Sequence, residues 1–236
     1  MNTTTQRTAL VTGASQGLGH ALATALVDRE WHVIVDARTP SALEEAARSW
    51  GSATTAIPGD VAEASHRRRL REEVRAAGRL DLLVNNASTI GTSPMPGLAD
   101  IDVATLRTIY DTNVIGPLSL TRALLPYLTE SNGIVVNVSS DAAVEPYEGW
   151  GGYGPSKAAL DHATAILAEE QPDITAYAFD PGDMRTALHQ AAFPGDDISD
   201  RPEPATVVPA MLRLIDERPD TVRVRASDLA ESRGAA

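Results

Sequence analysis

Tyr153 and Lys157 stand four positions apart at the start of an alanine-rich helical run that extends to Glu170. Pro155 falls in the first turn, where a missing N–H costs little. This spacing places the two side chains on one face, about 6 Å apart along the helix axis. A free phenol titrates near ~10, too high to exchange a proton readily at neutral pH. The Lys157 ammonium and the positive end of the helix dipole both favour a phenolate, so the spacing predicts a lowered pKa for Tyr153. Such a phenol can act as general acid or base on a carbonyl or an alcohol. The apolar run Gly133 to Val138 reads as a short buried strand, and Ser139 and Ser140 fall at its C-terminal end, where sites form in a parallel sheet. Ser140, thirteen positions before Tyr153, could donate a hydrogen bond to the same substrate oxygen. Tyr-x-x-x-Lys alone also arises by chance, so its weight depends on a cofactor site in the N-terminal half.

Such a site needs strands, turns and helices to hold it. Thr8 to Thr12 is a short apolar strand, followed at once by Gly13-Ala-Ser15-Gln16-Gly17-Leu18-Gly19 and a helical pattern from His20 to Arg29. Strand, glycine turn and helix together set a pyrophosphate on backbone N–H groups at a helix N-terminus. The spacing is G-x-x-x-G-x-G, and glycines also serve turns that bind nothing. A second strand, Trp31 to Asp36, ends in Asp36-Ala37-Arg38. An acid there suits the ribose 2′-OH of NAD and an arginine the 2′-phosphate of NADP, and both residue types are present.

Helices are expected over about Ser41–Trp50 and Glu63–Ala77, with an apolar segment Ala53–Ile57 between them and a buried strand Leu80–Val84 leading into Asn85-Asn86-Ala87-Ser88. The paired asparagines either tie neighbouring strands together or touch the cofactor. A long helical region from Ile101 to Leu128 breaks near Gly116-Pro117 and contains Asn113. Beyond Glu170 come a strand Ile174–Phe179, the segment Asp180-Pro181-Gly182-Asp183, a lid or pocket loop Leu188–Arg201 with one or two turns, a helix Pro204–Glu217 and a last strand Thr221–Val224. Strands alternate with helices without a compositional break, which predicts an α/β fold, a doubly wound parallel sheet of the Rossmann type in a single domain.

The 236 residues, 43% apolar, can bury a substantial core, with fraying expected at residues 1–6 and from about Ser227. A formal charge of −12 opposes nucleic acid and anionic membranes. Arg67, Arg68, Arg69, Arg71 and Arg75 are the local exception, and with Glu63, Glu72 and Glu73 among them they read as a solvated helix face. The absence of cysteine excludes disulfides, thiolate metal sites and cysteine nucleophiles, and no metal is expected. No basic-then-apolar leader or long apolar run is present, so a cytoplasmic protein is expected.

In this order, Thr12-Gly13-x-x-x-Gly17-x-Gly19, Asp60-Val61, Asn85-Asn86-Ala87, Asn113, Ser140, Tyr153-x-x-x-Lys157 and Pro181-Gly182 resemble the short-chain dehydrogenase/reductase family over about residues 7–225. The resemblance implies that Tyr153 is the acid/base, that Lys157 lowers its pKa and bonds the nicotinamide ribose, that Ser140 polarises the carbonyl and that Asn113 holds a relay water. It implies that Asp60 and Val61 meet the adenine, Asn86 and Ala87 the adenosine side and Thr186 the nicotinamide carboxamide, with Pro181 and Gly182 beside it. The family register puts Arg38 where NADP-preferring members carry a base, so NADP(H) is expected, with NAD(H) left open. Asp36 must then point away from the 2′-phosphate. Hydride transfer between the nicotinamide and a small carbonyl or secondary alcohol follows, in a homodimer or homotetramer.

Two departures from the family pattern are Ser88, which replaces a usual glycine, and Asp183, which follows Pro181-Gly182. Ser88, Ile90, Tyr147, Trp150, Met184, Leu188 and His189 are candidates for the substrate wall. Two other readings use the same turn: an NADP-sensing regulator without turnover, and a methyltransferase, which would leave the Tyr153/Lys157 pair and Arg38 unexplained.

Overall fold

Aliphatic and β-branched runs of three to six residues form a seven-stranded, all-parallel sheet in the computed structural model, which describes residues 6–231. In chain order the elements are β1 (Thr8–Val11), α1 (Gly17–Asp28), β2 (His32–Ala37), α2 (Pro40–Trp50), β3 (Thr54–Pro58), α3 (Ala64–Ala77) and β4 (Leu82–Asn85). There follow α4 (Val103–Tyr110), α5 (Gly116–Glu130), β5 (Ile134–Val138), α6 (Tyr153–Glu170), β6 (Thr175–Asp180), α7 (Ala187–Ala192), α8 (Val208–Glu217), β7 (Arg223–Arg225) and α9 (Ala226–Glu231). The strand order is β3-β2-β1-β4-β5-β6-β7. The winding therefore reverses between β1 and β4, and the crevice at their C-terminal ends is where such sheets take ligands.

Both faces of the sheet are covered, as a parallel sheet requires. Ala9, Val11, Val33 and Val35 pack with Leu22, Leu26, Met211 and Leu214 on one side, while Leu10, Ile34, Leu83 and Val135 pack with Leu70, Val74, Leu120 and Leu124 on the other. The period-two alternation of each strand produces this split. Between the sheet and α5 and α6 lies a buried polar ladder. Asn85 Nδ2 donates to Asn137 Oδ1 at 2.7 Å and to Thr121 Oγ1 at 3.1 Å, and Asn137 Nδ2 donates to Thr164 Oγ1 at 2.8 Å. Asn85 is thus the strand-tying member of the asparagine pair.

Two expectations change. The break in the Ile101–Leu128 helix lies earlier, as a π-helical segment Asp111–Ile115. Gly116 N–H reaches back five residues to Asp111 O, and Pro117 has no N–H to give the Asn113 carbonyl. The lid region 188–201 carries one short helix, α7, in keeping with the one or two turns expected there. The tail from Ser227 does not fray over 227–231: α9 packs on α8, Leu229 is buried and Arg213 donates to its carbonyl. Gln6 likewise donates to Glu30 O at 2.9 Å. The remaining residues expected to fray, 1–5 and 232–236, lie outside the described residues. Among the described residues no helix is long and apolar enough to cross a membrane, and no His/Asp/Glu cluster is suited to a metal ion.

Candidate active site

One cleft runs along the C-terminal edge of the sheet. Its lining includes Gly13, Ser15, Gln16, Gly17 and Leu18 after β1, Arg38 after β2, Asp60 and Val61 after β3, and Asn86, Ala87 and Ser88 after β4. Ser140, Tyr153, Lys157, Pro181, Gly182 and Thr186 line its other end. Of the residues expected at the cofactor or in catalysis, only Gly19 and Asn113 lie behind the lining.

The β1 turn is clamped from below. Thr12 Oγ1 accepts from the backbone N–H groups of Asn86 and Ala87, both at 3.0 Å, and Asn86 Nδ2 donates to Thr12 O at 2.8 Å and Gly13 O at 3.1 Å. The Asn86 side chain therefore holds the turn. Gly13 has φ +68°, and a Cβ there would lie 2.9 Å from Ala87 Cα. A Cβ at Gly19 would lie 2.5 Å from Asn86 Nδ2, so this glycine serves helix-to-turn packing. Gln16, the N-cap of α1, makes no side-chain cap bond, and the first turn carries no acid. That uncapped N-terminus opens on the cleft and suits an anionic pyrophosphate.

Asp36 is turned under the turn, away from the cleft mouth. Its carboxylate accepts from Gly13 N–H and from His66 Nε2, both at 2.8 Å, and it is 1% exposed. Burial pushes its pKa up, with the bonds from His66 and Gly13 pulling the other way. Arg69 Nη2 donates to His66 Nδ1 at 3.1 Å, which leaves Nε2 as the donor to Asp36. Gly59 is needed beside this pair, because a Cβ would lie 2.2 Å from His66 Nδ1. Arg38 is exposed at the cleft, and among the described residues its guanidinium has no ion-pair partner. Asp60 Oδ1 accepts from Ala62 N–H at 2.8 Å and shapes the next turn.

At the opposite end, α6 begins at Tyr153. Its ring is 6% exposed and meets the Trp150 ring edge-on at 5.5 Å. Its pKa is not lowered: burial pushes it up to about 12, more than the hydrogen bonds with Ser88 and Ser140 pull it down, and Asp141 and Asp180 raise it further. Lys157 is itself buried, its Nζ donating to Val138 O at 2.7 Å and lying 5.4 Å from the Tyr153 ring centre. Burial lowers its pKa to about 8, against the opposing charge of Asp161. Desolvation thus outweighs the lowering that the i, i+4 spacing predicts. Ser140 Oγ donates to Asp141 Oδ1 at 2.9 Å.

Asn113 is 1% exposed and its amide is fully engaged. Oδ1 accepts from Thr89 N–H at 2.9 Å and Ser88 Oγ at 3.2 Å, and Nδ2 donates to Thr89 O at 2.9 Å and Ser156 Oγ at 3.0 Å. Any water it holds must sit on its backbone carbonyl, which lacks an N–H from Pro117.

Of the expected substrate wall, Ser88, Trp150, Met184, Leu188 and His189 line the cleft. Tyr147 does not: it is 46% exposed and donates to Asp141 Oδ2 at 2.8 Å. Ile90 packs behind, with Ala142, Tyr153 and Ala192. His189 Nε2 is buried without a hydrogen-bond partner among the described residues, and its ring lies 4.9 Å from Phe193. Asp183 faces Arg201 at 3.5 Å and His189 at 3.9 Å. Sequence reasoning placed Ser139 at the end of β5 but missed Asp141 and Ala192 in the lining and His66 beneath it. Asp141 carried a signal in its place next to Ser140; His66 carried none, being 30 positions from its partner.

The short chain dehydrogenase family model matches residues 7–197. An uncharacterised oxidoreductase of Saccharomyces cerevisiae is 36% identical over 182 residues, 76% of this chain and 71% of that protein. A benzil reductase of the same yeast, which forms (S)-benzoin, is 33% identical over 193 residues, 77% of this chain and 73% of that one. A short chain dehydrogenase from Shigella flexneri, solved in complex with NADP, superposes with a TM-score of 0.87 at 28% identity, over 94% of this chain and 97% of that one. Fold, cleft and sequence agree, and the chain belongs to the short-chain dehydrogenase family of oxidoreductases.

Proposed function

We propose that the protein is an NADP(H)-dependent oxidoreductase that interconverts a small carbonyl compound and its secondary alcohol. The observation that carries this reading is the sharing of one cleft by Ser140, Tyr153 and Lys157 with the uncapped α1 N-terminus and Arg38. When bound, the cofactor supplies a hydride from its reduced nicotinamide. The Gly13–Gly19 turn and α1 N-terminus would hold its pyrophosphate, and Arg38 its 2′-phosphate. With Asp36 engaged by Gly13 and His66, the acid that would repel that phosphate is turned aside. The NADP carried by the Shigella flexneri structure supports the same choice.

Ser140 holds the substrate oxygen, and Tyr153 delivers its phenolic proton to that oxygen during reduction. In the other direction the tyrosine takes the proton back. A phenol at about 12 is a strongly protonated acid at neutral pH, so it is loaded for reduction. The Lys157 ammonium supplies positive charge beside the phenolate that proton transfer leaves. The Asn113 backbone carbonyl would seat a water on the same path.

Trp150, Leu188, Met184 and Ala192 give the substrate end an apolar and aromatic character, with His189 Nε2 as its polar atom. That wall favours a compact carbonyl compound with an aromatic or aliphatic body, a choice supported by likeness to the yeast benzil reductase. Ile115 and Ile166, exposed at the start of α5 and on α6, support pairing of these helices in a homodimer or homotetramer of a cytoplasmic protein.

The test is NADPH oxidation against a panel of aldehydes, aryl ketones and α-diketones. Turnover with at least one class is expected. NADPH binding without turnover of any would leave a cofactor sensor, and no NADPH binding would refute the reading.

A further inference from the structure

Arg223 stands on β7 at the edge of the sheet, outside the cleft lining, and its guanidinium joins three parts of the candidate active site. Val224 packs among side chains of α1 and α8, so the alternation of the strand turns Arg223 to the α6 face. There Nε donates to Asp161 Oδ2 at 3.0 Å, and Nη2 donates to Asp180 Oδ2 at 3.2 Å and to Ser140 O at 3.1 Å. Asp161 lies one turn beyond Lys157 on α6, and its other oxygen is buried with no hydrogen-bond partner among the described residues. Asp180 ends β6, and its Oδ1 accepts from Gly182 N–H at 3.1 Å in the turn that lines the cleft. Ser140 lies past the end of β5. Ser139 N–H still reaches Phe179 O at 2.7 Å, whereas the Ser140 carbonyl accepts from Ala143 N–H at 3.1 Å within its own turn and from Arg223. The bond from Arg223 is the one that ties the Ser140 carbonyl back to the sheet.

We propose that Arg223 is a positioning residue for the reaction: its guanidinium fixes the Ser140 peptide against α6 and the turn after β6, so that the serine hydroxyl meets the substrate oxygen beside Tyr153. Lying outside the cleft lining, the arginine acts through Ser140. A planar guanidinium presents its N–H groups in a fixed fork and serves separated acceptors at once, whereas an ammonium is a point charge on a flexible stem. Lysine at this position would keep the charge beside both carboxylates and release the Ser140 carbonyl. Displacing a group that orients the reacting atoms by about 1 Å costs up to about 10²-fold in rate. This role rests on the reading of Ser140 as the hydroxyl that holds the substrate oxygen.

The test is single-turnover NADPH oxidation by the full chain at saturating NADPH, with a carbonyl compound that the wild type reduces. Ser140→Ala, Arg223→Lys and the double variant are compared, each well below its melting temperature. Ser140→Ala is expected to lower the rate by about 10²-fold or more. Arg223→Lys is expected to lower it by about tenfold or more with NADPH affinity within about twofold of wild type, and to cost less than about twofold further in the Ser140→Ala background. A merely structural arginine would lower the melting temperature and leave the rate of the folded enzyme unchanged, or its loss would multiply with that of Ser140→Ala. Either result, beside a slow Ser140→Ala, would overturn the role of Arg223 alone. Arg223→Gln combined with Asp161→Asn removes both charges of one pair together with the Ser140 bond, and carries the same comparison if Arg223→Lys does not fold. Ser140→Ala at the wild-type rate would overturn the reading of Ser140, and the Arg223 role with it.

Discussion

Replacing Lys157 by methionine should abolish turnover and make the protein more stable. The lysine is 2% exposed, and its Nζ donates to Val138 O. Its pKa falls from 10.5 to about 8 because burial disfavours the ammonium. At pH 7 the folded chain carries that ammonium, at a cost of about 3 kcal/mol relative to the unfolded chain. Methionine keeps the straight apolar stem and removes the charge, losing a hydrogen bond that contributes about 1 kcal/mol. The net gain is about 2 kcal/mol, in the range seen when buried charges give way to apolar side chains. For a chain of this length, that raises Tm by about 4–8 °C.

The sign of the pH dependence follows from the same shift. Between pH 8 and 10.5 the unfolded chain still binds a proton on Lys157 that the folded chain has released, so wild-type stability rises with pH across that window. The advantage of Lys157→Met should therefore be largest at pH 7 and shrink as pH passes 8. The raised pKa of Tyr153 acts in the opposite sense between its ordinary 10.0 and about 12, above the range compared. Calorimetric melts at pH 7 and about 9.5 decide the matter. A variant that melts below wild type at pH 7, or a margin that does not change with pH, would refute the desolvation argument.

Arg38→Ala should weaken NADPH binding by about 10–100-fold while changing NADH affinity little, because one charge-assisted contact to the 2′-phosphate is lost; an unchanged NADPH/NADH ratio would remove Arg38 from the site. Gly19→Ala forces a Cβ to 2.5 Å from Asn86 Nδ2 and 2.6 Å from Gly13 O, and should lower stability by about 1–3 kcal/mol in urea unfolding, with weaker NADPH binding. A wild-type midpoint would mean that the turn relaxes freely. His66→Ala leaves the Asp36 carboxylate buried with only Gly13 N–H for support and should destabilise by about 3 kcal/mol; adding Asp36→Asn should recover part of that loss, and no recovery would rule out the buried charge as its cause.

The parallel sheet was legible because each strand is a short aliphatic run and each crossover has helical periodicity. The glycine turn and the Tyr153/Lys157 face were legible for a similar reason, since both are local spacings. What failed to show in the sequence depends on the third dimension. Spacing predicts the attraction between Lys157 and the phenol but not the burial of both groups, and burial dominates. Asp36 could be placed away from a 2′-phosphate, but its engagement by His66 joins the end of β2 to α3 and has no local signature. Gly116-Pro117 marked a break in the helix, but nothing local marked the π-helical segment before it that buries Asn113. The polar tail read as frayed because it offers the core a single large apolar side chain, Leu229, while the bond from Arg213 to the Leu229 carbonyl has no local signature.

The central claim is that the Tyr153 phenol moves the proton in a hydride transfer. It is tested most directly by single-turnover NADPH oxidation in wild type and Tyr153→Phe, with an accepted carbonyl compound and with NADPH affinity measured alongside. The account predicts that Tyr153→Phe binds NADPH within about twofold of wild type while its rate falls by about 10²-fold or more. A variant that binds NADPH and reduces the carbonyl at the wild-type rate would contradict it.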